Sequence, residues 1–273
     1  MRYRYTMNLF YIALPICLLL RTIQLIFTID ETTGFIKQQY SSISTVVMIV
    51  ICAAVAAVGL LGFVGDEIKT CKRKLNPAIA LVSALAGGMF IYDTVTSLAN
   101  LNSSSWYDLV LIILGILSAI VFILYGLKNI YDYNMPSMML VIPVFYYILK
   151  LITIFVSTSD LALVTENIFL LFTNGALLLF MFEFAKFENN IGDSKKENKK
   201  LFATGIISVM LCAISTVPKI IGFLVNKTQP TSQDISSALL AIIVGVFVLS
   251  FIICNFSDKA NKRKKHIVSH LAQ

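Results

Sequence analysis

Apolar residues fall along this chain in long unbroken runs, with polar residues collected between them, and not in the strict alternation of a half-buried strand. A helix needs about 20 predominantly apolar residues, rising about 1.5 Å each, to cross about 30 Å of hydrocarbon. Stretches of that kind run Tyr5–Thr28, Ser41–Val64, Pro77–Asn100, Trp106–Leu127, Pro136–Ser157, Leu161–Lys186, Leu201–Val225 and Ile235–Asn255. Lipid offers no partner to a backbone N–H or C=O, and the runs are too long for barrel strands, so each reads as a transmembrane helix. The predicted fold class is all-α: a polytopic integral membrane helix bundle of about eight transmembrane helices.

Local signals support several boundaries. Asn76–Pro77 reads as an N-cap followed by a first-turn proline, and Pro136 also suits a first turn. Asn189 to Lys200 is polar throughout and reads as a solvated loop dividing the bundle. Residues 1–273 form one bundle domain, and 256–273 form its basic tail. Arg2 and Arg4 before an apolar stretch resemble the start of a signal peptide, but the stretch runs past Arg21 to Phe27 without a small-residue cleavage site, so a first span is expected.

Composition agrees with the pattern. Hydrophobic residues make up 58% of the chain and charged residues 14%, against about 25% charged in a soluble domain. The net charge of +7 is therefore not a nucleic-acid footprint. It sets orientation. Arg2, Arg4, Lys69, Lys72, Arg73, Lys74, Lys128, Lys186, Lys195, Lys196, Lys199, Lys200 and the tail cations from Lys259 to Lys265 fall on one side, while the other side holds only Lys37 and Lys227. The basic-rich side is expected in the cytoplasm, which puts both termini inside and the chain in the cell membrane. The basic tail is expected to lie against anionic lipid headgroups.

Five ionisable residues remain inside the spans: Arg21, Asp93, Lys150, Glu166 and Lys219. Charges in hydrocarbon are costly and mark functional sites by default. Counted from the helix ends, all five sit at one depth, roughly 7–10 Å below the outer boundary. A lysine or arginine there can also snorkel to the interface, which the shorter Asp93 and Glu166 cannot do as well. On the seventh span Gly205, Ser208, Cys212, Ser215 and Lys219 share one stripe, and on the sixth Thr173 follows Glu166 as Asn174 follows Asn167. Small and polar stripes of this kind face other helices, either lining a site or serving as hydrogen-bond glue. The five charges are expected to form one electrostatic unit, with Glu166 and Lys150 on neighbouring spans as its first pair.

Arg21, Gln24 and Thr28 follow the same spacing as Asp93, Thr96 and Asn100, as Lys150, Thr153 and Ser157, and as Lys219, Gly222 and Asn226. The pattern suggests two parallel four-helix halves, although helix ends become polar for other reasons too. Pro15, Pro143 and Pro218 fall within cation-bearing spans and are expected to kink them. Pairs such as Ala53 with Ala57 and Ser83 with Gly87 suit close helix packing.

Enzymatic motifs are missing. There is no HExxH, P-loop or GxSxG sequence, and the histidines, His266 and His270, both lie in the tail. Two ligands four residues apart do not make a metal site, and the cysteines show no CxxC pair, so no metal or cofactor is expected. Three cations against two acids favour a small anionic or zwitterionic solute. Arg21, Lys150 and Lys219 would hold its anion, Asp93 and Glu166 would balance them, and Tyr92, Tyr146 and Tyr147 would line the walls. The expected function is transport or solute binding. The alternative is a non-transporting subunit or sensor whose charges pair internally or with a partner's spans.

Overall fold

The structure, a computed structural model, describes residues 2–28, 38–64, 76–99, 106–131, 135–157, 164–191, 194–224 and 232–256. Its helices are α1 (Arg2–Thr28), α2 (Ser41–Val64), α3 (Pro77–Ala99), α4 (Trp106–Tyr131), α5 (Ile142–Ser157), α6 (Val164–Glu188), α7 (Ser194–Leu224) and α8 (Ser232–Asn255). Among the described residues there is no strand, and 8 helical stretches are long and apolar enough to cross a membrane, the fifth of them counted with the 3-10 turn that precedes α5. The chain is a multi-pass membrane protein.

The boundaries show local chemistry at work. Asn76 caps α3, its side-chain oxygen accepting from the Ala78 N–H at 3.2 Å, and Pro77 occupies the first turn where no donor is needed. Two expectations need correction. Pro143 does not kink the middle of a span: Ser137–Val141 is a 3-10 turn, and α5 begins at Ile142, so the proline sits in the first turn of the α-helix. The polar stretch 189–200 is not all loop. Asn190 adopts a left-handed backbone (φ 51) and α6 closes with Asn190 N–H on Phe187 O and Ile191 N–H on Lys186 O, a Schellman closure. By Ser194 the chain is helical again, because lysine and glutamate are good helix formers and Glu197 complements the helix N-terminus.

Packing follows a ring. Neighbours α3, α4, α5, α6, α7 and α8 pack in sequence, and α8 returns to α3. The hairpin α1–α2 stands outside the ring and packs on α7. The main discontinuity in packing thus falls between α2 and α3, not at the 189–200 segment.

Small residues make the closest contacts. A side chain at Gly87 would meet Ala119 O of α4, one at Gly126 would meet Ala80 O of α3, and the Ser83 hydroxyl donates to Phe122 O at 2.5 Å. Ser83 and Gly87 therefore serve the tight α3–α4 contact their spacing suggests. Ala53 and Ala57 do not play that part: both are exposed, because the inward face of α2 carries Ile51, Val55, Val58, Gly59 and Gly62. Gly62 approaches Ala203 of α7 instead.

Aromatic rings fill the middle of the ring of helices. Phe90 stacks on Phe122 at 5.3 Å, Phe122 meets Phe247 at 5.1 Å, Phe247 meets Phe184 at 5.8 Å, and Phe184 meets Tyr125 at 5.1 Å. Tyr146 joins the first end of this column against Phe90 at 5.1 Å. These side chains come from α3, α4, α5, α6 and α8, so the column is a shared core held by edge-to-face contacts. Outside the bundle, Leu, Ile, Val and Phe side chains remain exposed on every face, as contact with lipid tails requires.

Candidate functional site

A polar layer lies at each end of the aromatic column. The first is built at the C-terminal ends of α1, α3, α5 and α7 and the N-terminal ends of α2, α6 and α8. On α5, Tyr146 and Lys150 are one turn apart and share a face. Across from them is Asp93 of α3, 6% exposed. Its Oδ2 lies 3.7 Å from Lys150 Nζ and accepts from the Tyr146 hydroxyl at 3.2 Å. Its Oδ1 accepts from the Ser236 hydroxyl of α8 at 2.8 Å, and Ser236 in turn accepts from the Thr96 hydroxyl at 2.9 Å. One carboxylate thus ties three helices together. In a low-dielectric interior such a charge persists only when it is paired and hydrogen-bonded.

Lys150 is less well served. Among the described residues its polar contacts are the Tyr146 hydroxyl oxygen at 3.2 Å and the Asp93 carboxylate at 3.7 Å, and the ammonium also lies 5.4 Å from the centre of the Tyr146 ring. An ammonium carries three donors. Beside it on the helix, the Tyr147 hydroxyl is buried and has no hydrogen-bond partner among the described residues. The Tyr147 ring packs edge-on against those of Tyr146 at 5.3 Å and Phe90 at 6.5 Å.

Arg21 is held differently. Its guanidinium donates to Gln24 Oε1 at 2.8 Å and stacks over the Phe169 ring of α6 at 4.5 Å. Gln24 donates to the Ser44 hydroxyl of α2 at 2.6 Å and to Ser44 O at 3.0 Å. Arg21 is 5% exposed, so it does not snorkel to an open surface.

Of the five sequence-predicted residues, the structure therefore brings Asp93 and Lys150 together and seats Arg21 between α1, α2 and α6. Lys219 is half-buried on α7. Glu166 lies on α6, and its side chain, expected to partner Lys150, lies outside the described residues. The carboxylate beside Lys150 is that of Asp93. Tyr146 and Tyr147 are buried, whereas Tyr92 is 45% exposed. The α7 stripe faces protein: Ser208 and Cys212 are buried, Ser215 accepts from the Thr173 hydroxyl of α6 at 3.1 Å, and a side chain at Gly205 would meet Phe180 and Ile252.

The second polar layer, at the other end, escaped the sequence reading. Lys128 of α4 pairs with Glu188 of α6 at 2.7 Å, and the Tyr125 hydroxyl donates to the same carboxylate at 3.2 Å. Lys186 pairs with Glu197 of α7 at 2.7 Å and lies 3.5 Å from Glu183. Acids at the C-terminus of α6 oppose its dipole and require cations nearby, which is the signal that would have found them. These bridges bind α4, α6 and α7 at this end. No protein-family model matches the chain, and neither does any curated protein or solved structure.

Proposed function

We propose that this protein is a transporter, or a solute-binding membrane protein, for a small anionic or zwitterionic ligand. The observation that carries this reading is the pair of underused donors on α5: the Lys150 ammonium beside Asp93, with one hydrogen-bond partner among the described residues, and the buried Tyr147 hydroxyl, with none. A buried donor left without an acceptor costs free energy, and a carboxylate or phosphate oxygen entering there supplies the acceptor. Asp93, already bonded by Ser236 and Tyr146, serves as the counter-charge that an amine or the displaced ammonium contacts. With both termini cytoplasmic in the cell membrane, as the distribution of basic residues supports, the site opens to the outer side, and the Lys128–Glu188 and Lys186–Glu197 bridges close the inner side. Arg21 and Lys219 add cations to this layer, and Glu166, whose side chain lies outside the described residues, is the second acid expected to balance them.

The test is thermal unfolding of the purified full chain in detergent against glycine, glutamate, succinate and inorganic phosphate. A ligand at 100 times its Kd stabilises the folded state by about 2.7 kcal/mol. At least one compound should raise the melting temperature, and Lys150→Met should abolish the rise. Stabilisation that survives Lys150→Met puts the ligand elsewhere.

A second reading has its own support. Asp93 accepts hydrogen bonds from one group on each of two other helices and forms an ion pair with Lys150, which is what an internal strut in a non-transporting subunit or sensor needs. No stabilisation by any of the four probes, with strong Asp93–Lys150 coupling retained, favours that role.

A further inference from the structure

Between α6 and α7, away from both polar layers, runs an open apolar groove of about 430 Å³. Phe172, Gly175 and Leu179 form its α6 side, and Thr204, Ile207 and Leu211 its α7 side. The Thr204 hydroxyl is turned onto its own helix, donating to Lys200 O at 2.8 Å, so it leaves the groove apolar. Gly175 makes the depression. A side chain built there would meet no atom within 4 Å. Elsewhere in the bundle glycine admits a neighbouring helix, as Gly62, Gly87 and Gly126 do. At Gly175 no helix approaches, although glycine weakens a helix relative to alanine.

The α7 side of this groove continues into charge. Lys196, Lys200, Thr204, Ile207 and Leu211 follow one another at spacings of 4, 4, 3 and 4, a single stripe along the helix. Lys196 and Lys200 are exposed, and neither has an ion-pair partner among the described residues, since Glu197 is taken by Lys186. At about 1.5 Å per residue, Lys200 stands about 6 Å beyond Thr204 along the helix and Lys196 about 12 Å. An apolar slot that leads toward two exposed cations without ion-pair partners among the described residues suits a phospholipid with an anionic head.

We propose that this groove is a binding site for an anionic phospholipid, one acyl chain lying over Gly175 and the phosphate held by Lys196 and Lys200. The cations give the site its preference for charge, and the glycine gives the chain its depth. Both are needed, since a lysine cluster alone attracts any anionic surface and a groove alone accepts any tail.

The experiment is native mass spectrometry of the full chain with phosphatidylglycerol or phosphatidylcholine of the same acyl length, alongside melting curves in each. The wild type should retain phosphatidylglycerol more tightly. Gly175→Leu should weaken both lipids about tenfold by filling the slot. Lys196→Gln with Lys200→Gln should remove the preference, about thirtyfold from two lysines, and leave phosphatidylcholine unchanged. Gly88→Leu, which also adds a side chain in open space but on α3, is the control for folding and should change nothing. Equal retention of the two lipids by the wild type, or unaltered retention by Gly175→Leu, overturns the proposal. So does a Gly175→Cys chain that forms a disulfide-linked dimer in membranes, because the groove then holds a second copy.

Discussion

Asp93 on α3 and Lys150 on α5 face each other at 3.7 Å although α4 separates them in the chain. Removing either partner strands the other in the bundle. Lys150→Met alone should cost about 3 kcal/mol, in the range for breaking a buried pair. The double variant Asp93→Asn with Lys150→Met should be milder than the sum of its singles. Unfolding measured over the double-mutant cycle decides it, and additivity within about 0.5 kcal/mol would falsify the pair as an energetic unit.

Tyr147→Phe separates structure from ligand. The hydroxyl it removes is buried with no hydrogen-bond partner among the described residues, so the melting temperature without solute should hold or rise. Solute-dependent stabilisation should shrink. A clear loss of intrinsic stability instead means that the hydroxyl is bonded within the protein.

Ser208 is fully buried on α7. Ser208→Leu should overpack the bundle and cost about 1–3 kcal/mol. Ser215→Leu should cost less, since Ser215 is half-buried and the Thr173 hydroxyl that contacts it keeps Phe169 O as an acceptor at 2.7 Å. Unchanged expression and melting with leucine at both positions would show that the stripe meets lipid.

Orientation is tested by single cysteines labelled from outside intact cells. Positions near Gly34, Ser104 and Gln229 should react, and positions near Arg73 and Lys196 should not. The reverse pattern turns the molecule over and puts the Asp93 layer toward the cytoplasm.

The spans were legible because hydrocarbon imposes a length and a composition that no loop imitates. Asp93 and Lys150 were legible as costly residues for the same reason. Their partnership was not, since sequence adjacency favoured Glu166 with Lys150, while the geometry of the ring carries the inward face of α5 across to α3. Ser236 gave no signal, because a serine near a helix end is ordinary until Asp93 is seen opposite. The pairs of Lys128 with Glu188 and Lys186 with Glu197 were hidden by counting lysines for orientation alone. Pro143 misled because the α-helix begins later than the apolar run, after a 3-10 turn.

The placement of α1 and α2 outside the ring has a consequence for how the molecule is made. During synthesis this hairpin emerges ahead of the ring, and the helix it packs on, α7, follows only after α3, α4, α5 and α6. Until then the hairpin lacks the helix it packs on, and until α6 arrives the buried Arg21 also lacks the Phe169 ring it will stack on. The ring itself stays open until α8, the last of the described helices, meets α3. Assembly is thus back-loaded, and a ribosome that stops before α7 releases a chain in which neither the packing of the hairpin nor the closure of the ring has been made.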